Sequence, residues 1–187
     1  ITETPVYMGT LRNFRGVGAR VEAVPVDHQG MRIDALEAKL ASLAAEGARV
    51  KIVYTISSFQ NPTGATLSLA RREALLELAA RHGFLILDDE AYADLYYDDA
   101  PLPSLLALSN GYGVVSVGTF SKTVATGLRV GWILARPDLL AGFTRMRFDM
   151  GQNQMALRMM ANFMQSSALT NHLPVIRGLY KAKMTAL

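Results

Sequence analysis

Hydrophobic residues occur in two spacings that alternate along the chain. Short runs rich in β-branched residues predict buried strands, and segments with an apolar residue every three or four positions predict helices. Strands are predicted over residues 21–26, 50–55, 84–87, 114–117 and 129–135. Helices are predicted over residues 8–18, 34–46, 68–82, 137–148 and 152–166, and the tail after His172 also has a helical pattern.

The alternation of strands and helices predicts the fold class. Strands joined by crossover helices run parallel in a sheet that helices cover on both faces. The link between Lys122 and Arg129 is too short for a crossover helix, so the last strand is predicted to run antiparallel to its neighbour. We therefore expect an α/β fold with three layers, α/β/α, in which a mostly parallel sheet has one antiparallel strand. A surface loop is expected over residues 98–103.

Several apolar residues lie on single faces of the predicted helices. Ser68 is the predicted N-cap of the helix over 68–82, and Gly83 is expected to end it. Met155, Met159 and Phe163 recur four positions apart, which is typical of a core or subunit-interface face rather than of a cofactor site. The predicted buried faces are Leu36, Leu40 and Leu43 in the second helix, and Leu75, Leu78 and Ala79 in the third.

Composition narrows the classes of protein to which the chain can belong. Half of its 187 residues are hydrophobic and only 19% are charged, which argues against disorder. The net charge of +3 is not concentrated in any block, so no nucleic-acid partner is expected. The absence of cysteine excludes disulfides and thiolate metal sites. No apolar run reaches the roughly 18 residues of a membrane helix, and we expect a cytoplasmic globular protein without a membrane partner.

Polar loops follow several of the predicted strands. Open α/β sheets bind ligands at the carboxyl ends of their strands, and Asn61, Asp89 and Lys122 each follow such an end. These polar residues can also be explained without a ligand, because Asn-Pro-Thr-Gly favours a turn and acidic residues favour a helix N-terminus. Tyr7 is open to two interpretations, a ring at the edge of the core or a ring that stacks on a ligand.

The segment after the fourth predicted strand carries the most distinctive chemistry. The amine of Lys122 can form an imine with an aldehyde. The hydroxyl groups of Thr119 and Ser121, together with the guanidinium of Arg129, can bind an anion. Pyridoxal phosphate carries both an aldehyde and a phosphate. The segment therefore indicates pyridoxal 5'-phosphate as a cofactor, and we expect no metal.

Three segments resemble the fold type I pyridoxal-phosphate-dependent aminotransferases of class I and II, and within them the subgroup of 2-aminoadipate and kynurenine aminotransferases. The segments are 60–64, 87–92 and 118–132. The resemblance extends over nearly the whole chain. It implies the family's large-domain fold, pyridoxal phosphate as cofactor, and transfer of an amino group between an amino acid and a 2-oxo acid.

The same resemblance implies a role for each candidate residue. Lys122 would carry the cofactor as a Schiff base and then act as the base that moves a proton. Asp89 would pair with the pyridine nitrogen, and it is preferred to Asp88 because the family's acid lies three residues before the tyrosine. Cis peptide bonds are expected at Thr4–Pro5 and Asn61–Pro62. Of the other candidates, Asn61 and Tyr92 would bond the phenolic oxygen, Thr119, Ser121 and Arg129 would hold the phosphate, and Tyr7 would stack on the ring.

The chain departs from the family pattern in ways that suggest a fragment. Thr126 stands where the family usually has a proline, and a glycine-containing phosphate loop, a tyrosine from the partner subunit and a small C-terminal domain have no counterpart. We expect residues 1–170 to be an incomplete cofactor-binding large domain and residues 171–187 to begin the helix that leads to the small domain. By itself the chain is expected to bind cofactor weakly and to transaminate little. The full-length protein is expected to be a homodimer.

Two other functions fit the same resemblance. MocR-type transcriptional regulators fuse a DNA-binding winged helix to an aminotransferase-like domain that senses the cofactor. Their loop at the position of Asn61 often lacks the asparagine, so Asn61 favours the enzyme. A decarboxylase or lyase reaction on the same fold also stays open, because most residues that face the substrate lie elsewhere in the family.

Overall fold

Strands and helices alternate along most of the chain in the computed structural model, which describes residues 1–97, 101–146 and 151–186. The strands of the described part are β1 (Thr2–Thr4), β2 (Ala23–Asp27), β3 (Gly30–Met31), β4 (Ile52–Thr55), β5 (Leu85–Asp89), β6 (Val114–Thr119) and β7 (Gly131–Leu134). Its α-helices are α1 (Met8–Gly16), α2 (Ile33–Ala45), α3 (Leu69–His82), α4 (Leu105–Leu108), α5 (Pro137–Arg145), α6 (Gln154–Gln165) and α7 (Ala168–Thr185).

The strands form one sheet in the order β3-β2-β1-β4-β5-β6-β7. β1 is parallel to both β2 and β4, and β4 is parallel to β5. β7 runs antiparallel to β6, because the amide of Phe120 donates to the carbonyl of Val130 while Gly118 lies against the ring of Trp132. The predicted α/β class is confirmed, and β3, which is antiparallel to β2, adds a second antiparallel strand.

The chain divides into two compact units, and each has its own hydrophobic cluster. The first unit consists of Ile1–Glu90 and Leu102–Ser116, and the second of Ala91–Pro101 and Val117–Leu187. Full burial of a large apolar side chain contributes about 1.5–3 kcal/mol to folding. The first cluster includes Val24, Val53 and Ile86 of the strands with Leu36, Leu40, Leu75 and Leu78 of α2 and α3, and the second contains Phe120, Val130, Ala156 and Met160.

The sequence patterns of α2 and α3 predict their buried faces correctly. Every predicted apolar position of both helices is buried. Gly83 ends α3 with φ 69°, a left-handed conformation that glycine adopts at little cost. Ser68 occupies the N-cap of α3 as predicted, although its side chain makes no capping hydrogen bond. No helix in the described residues combines the length and the apolar character needed to cross a bilayer.

β1 and β5 differ from the predicted pattern at positions that bear on the candidate site. β1 was not predicted, because Thr2, Glu3 and Thr4 carry no apolar signal, yet Thr2 and Glu3 are buried between β2 and β4. β5 extends to Asp89, so Asp88 and Asp89 belong to the strand and not to the loop after it. Because side chains alternate along a strand, these two carboxylates point to opposite faces of the sheet.

The face of α6 with Met155, Met159 and Phe163, predicted to lie in a core or a subunit interface, is only partly in the core, where Phe163 packs against the second cluster. Met155 is 73% exposed and Met159 is 52% exposed, whereas Ala156 and Met160, one position further along, are buried. A shift of one residue turns the face of a helix by about 100°.

Two predicted segments extend past the residues that the structure describes. α5 ends at Arg145, and the last two residues of its predicted range, 147–148, lie outside the described residues. Residues 98–100 of the predicted surface loop also lie outside them.

Candidate functional site

Asp89 is a half-buried carboxylate at the carboxyl end of β5, in the first unit. The phenol of Tyr54, on the neighbouring strand β4, donates to Asp89 Oδ2 at 2.7 Å, and Thr10 Oγ1 donates to the phenol oxygen at 3.2 Å. Burial, and after it the negative charge of Asp89, raises the pKa of Tyr54 well above its ordinary range. The phenol therefore keeps its proton and donates to Asp89 at every physiological pH.

Asp88 has a different environment from its neighbour. Its side chain is 0% exposed, and Asp88 Oδ1 accepts from the amide of Ser57 at 3.4 Å. Within the described part of the chain, Asp88 Oδ2 has no hydrogen-bond partner. Burial raises the pKa of Asp88, because removal from water penalises the charged form. Of the two carboxylates, Asp89 is therefore the more accessible, and its role at the pyridine nitrogen stays a prediction.

The loop that carries Asn61 is closely constrained. Both Thr4–Pro5 and Asn61–Pro62 are cis, as expected from the resemblance. Phe59 has a left-handed backbone with φ 54°, which is uncommon for a bulky residue, and its amide donates to Thr66 Oγ1 at 3.3 Å. Asn61 itself is half-buried. The loop thus holds Asn61 on a backbone with little conformational freedom.

Tyr7 is also in the first unit, between β1 and α1. Its side chain is 52% exposed. The ring lies against Gly9, where an added Cβ would come 2.5 Å from Tyr7 Cε1, so a larger residue at position 9 would displace the ring. One side of the ring is packed and much of the rest is open, which makes the ring suitable for stacking.

Lys122 lies in the second unit, just beyond the carboxyl end of β6. Its Nζ is 5.9 Å from the centroid of the Tyr92 ring. The backbone on either side is bonded to helix α7: Tyr180 Oη donates to the Lys122 carbonyl at 3.2 Å, and a ring nitrogen of His172 is 2.9 Å from the Thr123 carbonyl. These bonds fix the backbone from which the lysine side chain extends.

The loop between β6 and β7 places hydroxyl groups around Lys122. Thr119 Oγ1 and Ser121 Oγ are 3.0 Å apart, and the Ser121 amide donates to Thr119 Oγ1 at 3.1 Å. Thr126 Oγ1 donates to the Ser121 carbonyl at 3.0 Å, a bond that the proline usual in the family could not make. Arg129 is exposed and its backbone is left-handed, with φ 54°.

Each unit therefore holds some of the predicted site residues. Tyr7, Asn61 and Asp89 lie in the first, and Tyr92, Thr119, Ser121, Lys122 and Arg129 lie in the second. Described contacts join Lys122 to Tyr92 and Thr119 to Ser121. Sequence reasoning missed Tyr54 and Tyr180, which hydrogen-bond Asp89 and the Lys122 carbonyl. It also missed the bonds of Gln60 and His172, which are made to Glu3, Pro5 and Thr63 and to the Thr123 carbonyl. A signal existed only for Gln60, which directly precedes Asn61 in the recognised segment.

Comparisons with known proteins show the family of the chain. The family described as aminotransferase class I and II matches residues 1–180. Aromatic-amino-acid aminotransferase 1 of Thermococcus litoralis is 36% identical over 100% of this chain and 45% of its own length, and the 2-aminoadipate transaminase of Thermus thermophilus is 34% identical over 100% and 47%. The crystal structure of a multiple substrate aminotransferase from Thermococcus profundus is 37% identical, with a TM-score of 0.93 over 99% of this chain and 46% of that one.

The chain spans about half the length of the curated aminotransferases that it matches. A transcriptional regulator is also similar: the uncharacterized HTH-type regulator YisV of Bacillus subtilis is 30% identical over 100% of this chain and 38% of its own length. The match to residues 1–180 nonetheless covers the strands and helices that hold every candidate residue. The chain belongs to the class I and II aminotransferase family.

Proposed function

We propose that the full-length protein is a pyridoxal-phosphate-dependent transaminase that moves an amino group between an amino acid and a 2-oxo acid. The observation that carries the proposal is Lys122, which follows the end of β6 with its amine 5.9 Å from the centre of the Tyr92 ring, in a chain of the aminotransferase family. The names of the relatives make aromatic amino acids and 2-aminoadipate the first donors to assay.

Each unit by itself carries side chains whose chemistry suits part of pyridoxal phosphate. The first unit contributes an accessible carboxylate, Asp89, whose partner Tyr54 is a permanent donor, and a half-open ring at Tyr7. The second unit contributes an amine at Lys122 and an exposed guanidinium at Arg129. When bound, pyridoxal phosphate supplies an electron-withdrawing ring that stabilises negative charge at the substrate Cα.

Each residue then has a specific task. Lys122 Nζ would hold the cofactor covalently through its aldehyde carbon and would move the proton at the substrate Cα. Asp89 keeps a proton on the pyridine nitrogen: at an effective dielectric constant of about 20, opposite charges about 4 Å apart attract by roughly 4 kcal/mol, or about three pKa units. Of the others, Asn61 and Tyr92 bond the phenolic oxygen, Thr119, Ser121 and Arg129 bind the phosphate, and Tyr7 stacks on the ring.

We also propose that the full-length protein is a cytoplasmic homodimer. The exposed side chains of Met155 and Met159 on α6 support the dimer, because neighbouring exposed apolar groups favour association. Sedimentation of the full-length protein with both methionines changed to glutamine tests this, and an unchanged sedimentation coefficient would exclude α6 from the interface.

The test of the transaminase is covalent trapping at Lys122. With pyridoxal phosphate, the full-length protein is expected to be yellow, and borohydride should remove the colour and leave the cofactor attached to the Lys122 peptide in a mass spectrum. Lys122→Ala should lose this attachment and reduce transamination by about 10²–10⁴-fold, the range for a general base. Lys183→Ala, on the exposed end of α7, is the matched control and should retain both. Reducible attachment in Lys122→Ala would overturn the assignment.

The similarity to YisV keeps a cofactor-sensing regulator as the second candidate. A regulator would form the same linkage at Lys122 but transaminate none of the donors, and the full-length protein would bind DNA. A decarboxylase or lyase would instead release carbon dioxide or an eliminated group from the amino acid. Product analysis after incubation with amino acid and 2-oxo acid separates the three outcomes.

A further inference from the structure

A buried amide and a buried carboxyl group form a pair next to the Asn61 loop. Gln60 and Glu3 are each 1% exposed. Gln60 Nε2 donates to Glu3 Oε2 at 3.2 Å and to the Pro5 carbonyl at 2.8 Å. Gln60 Oε1 accepts from the amide and the hydroxyl of Thr63, at 3.0 and 2.7 Å. Both ends of the side-chain amide are therefore fully bonded.

The partners of Gln60 fix the orientation of its amide. Glu3 and the Pro5 carbonyl are acceptors, and the Thr63 amide is a donor, so exchanging the nitrogen and oxygen of the amide would break its bonds on both sides. The main chain adds to this constraint, because the Gln60 amide donates to the Ala65 carbonyl at 2.8 Å and the Gly64 amide donates to the Gln60 carbonyl at 2.6 Å. The Asn61 loop is thus closed around the side chain and the backbone of Gln60.

Glu3 anchors the pair to the sheet. Its carboxyl group also accepts from Thr55 Oγ1 at 2.5 Å and from the amide of Ile56 at 3.2 Å. Burial raises the pKa of Glu3 to about 7, and the hydrogen bonds from Thr55, Ile56 and Gln60 oppose this rise. Pro5, the other acceptor, lies two positions before Tyr7. One side chain therefore bonds the segment that carries Tyr7, the loop that carries Asn61, and the strand system through Glu3.

We propose that Gln60, held by Glu3, is a positioning residue of the cofactor site, which sets the backbones that carry Tyr7 and Asn61 without itself touching the cofactor. This inference rests on the proposed function, since it concerns the same site. The substitution Gln60→Glu distinguishes positioning by hydrogen bonds from simple filling of space. The carboxyl group has the shape of the amide, but it can donate to Glu3 or Pro5 only while it is protonated.

The experiment measures the dissociation constant of pyridoxal phosphate by equilibrium dialysis of the full-length protein at pH 6 and pH 8.5. The ratio of the dissociation constant of Gln60→Glu to that of wild type is expected to be within about threefold at pH 6, where both carboxyl groups can donate. It should exceed about tenfold at pH 8.5, where the pair has lost at least one proton, and with it a hydrogen-bond donor, and carries a buried negative charge. Gln165→Glu, exposed on α6, is the matched control and should give a ratio near one at both pH values.

A double variant and a milder variant complete the test. Glu3→Gln with Gln60→Glu leaves a single carboxyl group in the pair, so the affinity at pH 8.5 should recover by about fivefold or more relative to Gln60→Glu. If circular dichroism shows that Gln60→Glu does not fold, Thr63→Val provides a milder change at an exposed residue. It removes one of the two bonds from Thr63 to Gln60, together with the bond from the Ala65 amide to Thr63 Oγ1 at 3.3 Å, and should weaken binding by about threefold.

The outcomes separate this inference from the proposed function. A Gln60→Glu ratio that is equal at the two pH values, or unchanged binding in Thr63→Val, would contradict the positioning role while wild-type binding still supports the transaminase. A wild-type protein that binds no pyridoxal phosphate would remove both.

Discussion

At the scale of single residues, Asp89 and Tyr54 are a donor–acceptor pair whose members are expected to differ in importance. Asp89→Asn removes the charge that holds a proton on the pyridine nitrogen, and a loss of roughly 4 kcal/mol corresponds to about a 10³-fold fall in kcat. Tyr54→Phe removes the hydrogen bond at 2.7 Å that orients the carboxylate, together with the bond that Thr10 Oγ1 donates to the phenol at 3.2 Å, and about a tenfold fall is expected. Steady-state kinetics with a saturating amino donor measure both.

Two substitutions control for side effects. Tyr112→Phe repeats the Tyr54→Phe change at a side chain that is 66% exposed. Asp138→Asn repeats the Asp89→Asn change at an exposed carboxylate. Both should retain wild-type kcat. The Asp89→Asn variant should still fold, because the amide oxygen of asparagine can accept the hydrogen bond from the Tyr54 phenol. An Asp89→Asn protein with wild-type turnover would show that another group acts on the pyridine nitrogen.

At the scale of elements, helix α7 holds the two loops of the second unit that carry Lys122 and Tyr92. Tyr180 and His172 bond the carbonyls of Lys122 and Thr123. Arg177 Nε donates to the Asp94 carbonyl at 2.6 Å, and its guanidinium carbon lies 3.7 Å from the centre of the Tyr96 ring, a favourable cation–π distance. The helix thus fixes the backbone at Lys122 itself and at a position close to Tyr92 in the chain.

Removal of one of these bonds should slow the chemistry of the lysine. Tyr180→Phe leaves the ring in place but releases the Lys122 carbonyl, and the loss of a neutral hydrogen bond is expected to slow formation of the borohydride-trapped linkage by about three- to tenfold. Quenched-flow trapping followed by mass spectrometry measures this rate directly. Trapping at the wild-type rate would mean that α7 supports the fold without positioning Lys122. Tyr112→Phe again serves as the control.

Much of the element pattern and of the site follows from local sequence. The apolar face of α3 and its end at Gly83 were correctly predicted, because spacing and a left-handed glycine are local signals. The end of β5 was predicted two residues early, because acidic residues look like loop residues. The strand nevertheless continues to Asp89, and Asp88 pairs with Thr55 of β4.

The supporting contacts could not be predicted in this way. Glu3 and its partner Thr55 are 52 positions apart, so the burial of this polar strand depends on sheet order and not on any local pattern. The same applies to Tyr180 and Lys122, which are 58 positions apart. For Met155 the spacing alone does not identify the buried face of α6. Two adjacent faces of the helix are apolar, and the face with Ala156 and Met160 is the buried one.

At the scale of the whole molecule, the buried carboxyl of Glu3 makes stability depend on pH in an unusual direction. Its pKa is raised from an ordinary 4.5 to about 7, so the folded protein binds this proton more tightly than the unfolded chain does. The contribution of Glu3 to the free energy of unfolding is therefore greatest below pH 4.5. Between pH 4.5 and 7 the free energy of unfolding should lose about 1.4 kcal/mol per pH unit through this group, and above pH 7 the loss is complete.

Glu3→Gln should therefore stabilise the protein by an amount that grows from pH 4.5 to about pH 7 and is constant above it. The amide fits the same contacts, because its oxygen can accept from Ile56 and Gln60 while its nitrogen donates to Thr55. Relative to wild type, the gain in the free energy of unfolding should be close to zero at pH 4.5 and reach about 3 kcal/mol at pH 8. The pKa of Asp88 is also raised by burial. Asp88 contributes equally to the free energy of unfolding of both proteins, so its contribution cancels in the difference. Urea denaturation at both pH values measures the gain, and a difference that does not grow with pH would mean that Glu3 stays ionised at low cost.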